Sequence, residues 1–448
     1  MTAVDQSATP TGNSSLPAAG SPSPAVPPSP AGSPSPAASG RMRNRYIDVL
    51  RSVALTRVLL FHLFGWAWLP LLFPSMGVMF AFAGSLMAAS LDRSTTGIGP
   101  VVRKRLRRLL PPLWAMGLVL VPIMLATGWT ATSEDASPLD LTVLGWVFPL
   151  VKPPASDLGA DWAVPLWYIR TYLWLMLLSG PMLWLWRHWR RLMMVFPFGV
   201  LLLEAGHILT LDSALADGVL SVSTYAACWM VGFYHHDGLL RRLSIARTVL
   251  IGALLAVAAL TWSLLFHGPG QGLFNVSDIP MATALYNLGF TMILLRLPLT
   301  LQWVSRVPVL SQWVTLSNRR AMTIYLWGNT AIFVALWSLR KFGILGKAGT
   351  SPWQSGLIAF GATLAVLLVA ILCLGWVEDV AGRRRPELLP VRSAGAGAAP
   401  ATPLGAAASG STESRSAESR SAESGSTDTT EATMETRALV TTPSERAR

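Results

Sequence analysis

Residues 48–62 read DVLRSVALTRVLLFH. Most of this stretch is the apolar material of a membrane helix, yet it carries Asp48, Arg51, Arg57 and His62. Ionisable groups at bilayer depth are costly and persist where they face a bundle interior or a water-filled cavity. On a helix turning ~100° per residue, Arg51 and His62 are about 1,100° apart, within ~20° of three whole turns, so they share one face. Asp48 lies one turn before Arg51 on the same stripe. The rise from Arg51 to His62 is ~16 Å, which puts His62 roughly half-way through a bilayer. An imidazole there, with its ordinary pKa of ~6.5, can take and release a proton near neutrality. The plainer reading has Asp48 and Arg51 anchoring the helix at the cytoplasmic interface, with His62 hydrogen-bonded in the core. Arg57 falls off the stripe and needs a separate partner.

Outward from this stretch the apolar half of the pattern repeats. Of 448 residues, 52% are hydrophobic and 13% charged, with 19 tryptophans, a balance that excludes a water-soluble globule of this length. Apolar runs fall at 46–69, 73–91, 109–128, 162–186, 192–211, 217–235, 248–267, 280–301, 320–340 and 353–377. Each is about long enough to cross a ~30 Å hydrocarbon core. The expected fold is all-α, a polytopic bundle of about ten transmembrane helices over residues 41–385. The shorter apolar piece 139–151 reads as interfacial or re-entrant. The tails, 1–40 (with SPSPAVPPSPAGSPSPAASG) and 386–448 (with STESRSAESRSAESGSTDTT), lack apolar content and are expected to be disordered.

The formal net charge of +12 has a topological explanation. Arg41, Arg43 and Arg45, the run RKRLRR at 103–108, RHWRR at 187–191, Arg241 and Arg242, Arg319 and Arg320, and GRRRP at 382–386 share one side if ten spans alternate. The opposite loops carry Glu134, Asp135, Asp157, Asp161 and Asp212. The positive-inside rule then makes the basic side cytoplasmic, with both termini. Arg340, Lys341 and Lys347 disagree, landing outside. Nothing in the sequence accompanies the charge with a nucleic-acid motif. Cys228 and Cys373 lie in apolar runs without disulfide or metal-site spacing and read as packing residues. Glu204 and His207 are spaced to pair on one helix, Asn287 and Asn329 to bond between helices. His188, His235 and His236 fall at cytoplasmic span ends, where topology and lipid headgroups account for them. Tryptophans such as Trp66, Trp68, Trp162 and Trp184 fall near span ends as an interfacial belt.

The chain also resembles the membrane-bound acyltransferase-3 family of bacterial O-acetylase-like enzymes. RYIDVLRSVALTRVLLFH (45–62) is similar to that family's first helix, whose Arg, ten residues, His signature is matched by Arg51 and His62. MGVMFAFAGSLMAASL (76–91) resembles its second helix, and KRLRRLLPP (104–112) its Arg-x-x-Arg-Leu-x-Pro motif at Arg105, Arg108, Leu109 and Pro111. PLWYIRTYLWLMLLSGP (165–181) and LSNRRAMTIYLW (316–327) resemble two later motifs. Two positions depart: Gly328 stands where the family usually has His, and Glu378 lacks the Pro that usually follows.

The resemblance implies an integral membrane enzyme of the cell membrane. It would move an acyl group, typically acetyl, from cytoplasmic acyl-CoA to a hydroxyl of a glycan, lipid-linked sugar or secondary metabolite. His62 would be the base or nucleophile, and Arg51 would either position it through an intermediate group or stabilise developing negative charge. Arg105 and Arg108, three apart at a helix start, suit the phosphates of the CoA co-substrate. No bound cofactor or metal is expected. A membrane transporter or flippase for a small polar molecule is the competing reading of the same intramembrane charges, though the chain lacks the internal repeats it would favour. A non-catalytic relative is the other, resting on Gly328 and Glu378.

Overall fold

The computed structural model describes residues 36–209, 213–267, 279–297, 301–345 and 351–389. The expected tails fall largely outside the described residues. Where they do not, the chain is more ordered than expected: the first helix begins at Pro36, and Glu387 is bonded to the bundle.

Every element is helical among the described residues. In order they are α1 (Pro36–Phe64), α2 (Leu69–Leu72), α3 (Ser75–Asp92), α4 (Ile98–Ala126), α5 (Ala160–Ala163), α6 (Leu166–His188) and α7 (Arg190–Ala205). There follow α8 (Ser213–His236), α9 (Ile245–His267), α10 (Pro280–Arg296), α11 (Pro308–Arg319), α12 (Ala321–Lys341) and α13 (Pro352–Ala381). A long helix overlaps each apolar run of the sequence. Among the described residues five stretches are long and apolar enough to cross a membrane: Leu69–Asp92, Ile98–Ala126, Ile245–Phe266, Ala321–Lys341 and Pro352–Ala381. The remaining long helices are shorter, as in α7 (16 residues) and α10 (17 residues), or carry interior polar groups, as in α1 and α6.

Burial runs opposite to apolarity. The two most apolar of these stretches, in α9 and α13, are only 17% and 22% buried, whereas the least apolar, in α12, is 56% buried. A protein folded against water buries its most apolar helices. Exposed apolar helices around a more polar interior are what a hydrocarbon solvent selects. The chain is a membrane protein.

Small residues let the interior helices approach closely. A Cβ on Gly84 of α3 would collide with the Trp229 carbonyl of α8, and one on Gly232 of α8 with the Ala81 carbonyl. Between α9 and α10, a Cβ on Gly289 would sit 2.7 Å from the Gly252 oxygen. Asn287 bonds between helices, accepting from Gly77 N at 3.0 Å.

Charge pairs close the ends. Asp92 receives Arg187 at 2.8 Å and faces His236 Nε2 at 2.9 Å, while His235 Nδ1 lies 3.1 Å from Ser85 Oγ. These two histidines therefore have protein partners where the sequence suggested headgroups. Arg320, counted with the cytoplasmic cations, is 0% exposed and pairs at 2.7 Å with the equally buried Asp379. It also donates to the Glu387 carbonyl. Glu378 has a structural role: it accepts from Met322 N, Thr323 N and Thr323 Oγ1, capping the first turn of α12. Glu204 and His207 meet through a backbone bond at the end of α7, 2.8 Å from His207 N to Glu204 O, with His207 at φ 54° and exposed.

The piece at 139–151 does not span. It forms one 3-10 turn, Leu141–Trp146, with Leu141 and Leu144 exposed and Trp146 buried beside Gly117 of α4. Asp157 ties the same loop together, accepting from Thr132 N at 2.9 Å and Ser133 N at 2.8 Å. The backbone N–H of Ser133, then the hydroxyls of Thr130, Ser133 and Thr132, hold its carboxyl well below the usual carboxylate range.

Candidate functional site

α1 is positioned at its first half by α11. Asn318 donates to Asp48 O at 2.7 Å and Ser52 Oγ at 2.9 Å, and Trp313 Nε1 donates to Thr56 Oγ1 at 3.1 Å. Farther along, Leu59 faces Gly328 of α12, where a Cβ would make ordinary contact at 3.5 Å. The two helices thus run parallel, and His62 reaches the level of Ile332, about the middle of α12. Gly328 is a packing position one turn from His62.

α1 ends two residues beyond His62. Gly65 adopts φ 65°, a left-handed conformation that glycine takes without strain, and the chain leaves through Trp66 and Trp68. His62 therefore lies in a final turn, exposed to a cavity of about 570 Å³. One wall is a single face of α12: Asn329, Ile332, Phe333 and Leu336, then Trp337, Arg340 and Lys341 at the C-terminal end. The other is α5 and its exit, with Asp161 and Val164. Trp162, buried, fixes α5 edge-on against Phe333 at 5.4 Å, and Asn329 Nδ2 lies 3.4 Å from Asp161 O.

Arg51 and Arg57 face a different region. Between α1, α3, α6, α8 and α12 lies an aromatic cluster of Phe80, Trp167, Tyr168, Tyr172, Tyr225, Trp229 and Tyr325. Its closest ring pairs are Phe80–Tyr225 at 4.7 Å, Phe80–Tyr168 at 4.8 Å and Tyr168–Tyr325 at 5.2 Å. Arg51 lies within electrostatic reach of Tyr168. Arg57 stacks over Phe61 at 5.1 Å and lies within reach of both Tyr225 and His62. Its buried Nε has no hydrogen-bond partner among the described residues. The residue that the helical stripe left unexplained thus links the histidine to the aromatic interior.

Arg105 enters the same cluster from α4, donating to Tyr172 OH at 3.0 Å and Ser90 Oγ at 3.3 Å. Arg108, on the same helix, is exposed. The four residues nominated from sequence are therefore not one constellation. Arg51 and Arg105 converge on the Tyr168–Tyr172 pair (6.3 Å between rings), His62 opens on the cavity, and Arg108 faces outward. Tyr168, Tyr172 and Asp161 were not singled out beforehand. The stretch PLWYIRTYLWLMLLSGP (165–181) holds Tyr168 and Tyr172 and was the signal for those two; Asp161 lies outside it. Among the described residues no group of three or more His, Cys, Asp or Glu side chains gathers to hold a metal.

A family model described as an acyltransferase domain matches residues 44–375. Neither a curated protein nor a solved structure matches the chain.

Proposed function

The chain belongs to the acyltransferase-3 family and is a membrane acyltransferase acting on groups other than amino-acyl groups; from that premise we propose that it moves an acetyl group from cytoplasmic acetyl-CoA to a hydroxyl of a glycan, lipid-linked sugar or metabolite. On this reading ten helices cross the bilayer, both termini are cytoplasmic, and the cavity beside His62 opens at the outer end of α12.

The observation that carries the reading is His62 exposed in a cavity whose floor lies at mid-helix, with Arg57 behind it. The cavity has room for a sugar-sized acceptor. His62 acts as general base. It takes the hydroxyl proton as the acceptor oxygen attacks the thioester carbonyl, the C–S bond breaks, and CoA leaves as thiolate. The half-buried side chain of Arg57, with no hydrogen-bond partner for its Nε among the described residues, is suited to stabilising negative charge developing at that carbonyl. Arg105, held by Tyr172 and Ser90, meets the donor's phosphates, with the positive charge of Arg51 within reach of Tyr168 beside them.

The test is release of CoA from labelled acetyl-CoA by the full chain in nanodiscs, for wild type, His62→Ala and Arg105→Ala. Turnover by wild type and its loss in His62→Ala are expected, with no label left on protein after a rapid quench. Label trapped on wild type but not on His62→Ala would make His62 a nucleophile instead. No thioester binding at all would sink the acyl-CoA reading.

A further inference from the structure

Arg340 and Lys341 are two of the three cations that break the charge asymmetry of the loops, and both line the cavity that His62 enters. A cation in the last turn of a helix is ordinarily explained by the helix dipole, and at a span end by lipid headgroups. Neither explanation requires the pair to share one cavity with Asn329, Asp161 and His62. Helical side chains lean toward the N-terminus, so Arg340 on this face leans back along α12 toward Leu336 and Asn329. Lys341 is steadied over Trp337, its Nζ 4.8 Å from the ring centroid. From Ile332, level with His62, to Arg340 the helix rises ~12 Å, a span that the long basic side chains shorten toward the size of one substituted sugar ring. Asp161 is the one acidic side chain among the described residues of the cavity wall, and it sits beside Asn329, at the end away from Arg340 and Lys341.

We propose that Arg340 and Lys341 form an oxyanion subsite for the acceptor, and that the acceptor is a hydroxyl compound carrying a phosphate or carboxylate group. The anionic group is held at the C-terminal end of α12 while its hydroxyl reaches His62. This rests on the acyl-transfer reading of the cavity. It selects among hydroxyl compounds: neutral sugars lack the group that the two cations hold, and sugar phosphates and uronates carry it.

The test uses the full chain in nanodiscs of phosphatidylcholine alone, with equilibrium binding of labelled hexose 1-phosphate and glucuronate against methyl hexoside. Each charged probe is expected to bind about tenfold or more tightly than the neutral one, the scale of a charge-assisted hydrogen bond. Arg340→Gln/Lys341→Gln is expected to erase the preference while Lys341→Arg retains it. Unchanged thermal melting of the double variant separates a lost subsite from a lost fold. Equal binding of charged and neutral probes by wild type, including no binding of either, overturns the proposal, as does a preference that survives in the double variant. Nanodiscs containing phosphatidylglycerol distinguish the source of the anion. If that lipid abolishes binding of the charged probes, the subsite belongs to headgroups and the proposal falls. CoA release from acetyl-CoA by wild type and His62→Ala, measured separately without acceptor, reports on the acyl-transfer reading itself.

Discussion

His62 and Arg51 share a helical face but not a task. The face runs past two environments, because α1 leaves the aromatic cluster and enters the cavity along its length. His62→Ala should lower CoA release by about 10²–10⁴-fold, the usual contribution of a general base. Arg51→Ala acts through Tyr168 and should be milder, raising KM for acetyl-CoA more than it lowers kcat. Arg105→Ala removes a donor to Tyr172 OH and Ser90 Oγ and, on the proposed reading, a phosphate contact. It should weaken acetyl-CoA binding about tenfold, whereas Tyr172→Phe, which leaves the guanidinium in place, should cost less. An Arg105→Ala enzyme with unaltered KM would move the donor site elsewhere on α4. The stripe of Asp48, Arg51 and His62 was legible because helical periodicity alone places them. Arg57 was not: Phe61 is one turn away on the same helix, but Tyr225 becomes its neighbour only when α8 is brought against α1.

At the scale of elements, the start of α12 and the end of α13 are held together by a fully buried ion pair. Arg320 and Asp379 are both fully buried, and Arg320 Nε and Nη1 have no partner among the described residues. Removing one member of a buried pair leaves an uncompensated charge, at ~3–5 kcal/mol. Asp379→Asn should lower resistance to unfolding in a denaturing-detergent titration by that order. Asp379→Glu keeps the charge and should lose less; equal losses would mean that the site tolerates no change of shape, whatever its charge. The ten long helices follow from the apolar runs, but this junction does not. A basic residue beside a span boundary looks like topology until Asp379 is known to lie opposite, and tertiary pairing of that kind leaves no local pattern. The loop between α4 and α5 carries a different, exposed device. Asp157 binds Thr132 and Ser133 with a carboxyl held below its usual range. A depressed folded value means that this contribution is present above the unfolded carboxylate value of ~3.9 and is lost as pH falls through the folded one. Amide exchange at Thr132 and Ser133 should therefore stay slow from neutral pH down past ~4 after correction for intrinsic rates, and quicken at all pH values in Asp157→Asn. Faster exchange in wild type already near neutrality would mean that these bonds do not persist in solution.

For the whole molecule, the decisive property is the inversion of burial, with the most apolar helices α9 and α13 outermost. The sequence carried the apolar runs plainly, but which of them face lipid depends on packing, and small residues such as Gly84, Gly232 and Gly289 direct that. Orientation is a separate matter, resting on charge asymmetry alone, and Arg320 has already left that tally for a buried pair. The remaining cations still favour a cytoplasmic face at the start of α4. Single cysteines at two exposed positions test it: Glu134→Cys in the loop before α5, and Arg242→Cys between α8 and α9, each in a Cys373→Ser background because Cys373 is exposed while Cys228 is buried. A membrane-impermeant maleimide should label Glu134→Cys on intact cells and Arg242→Cys only after lysis. The reverse pattern would turn the His62 cavity toward the cytoplasm and Arg105 toward the outside, where no acyl-CoA is supplied. Labelling therefore bears on chemistry as well as topology, because with Arg105 outside, the cation held by Tyr172 and Ser90 could not receive the donor.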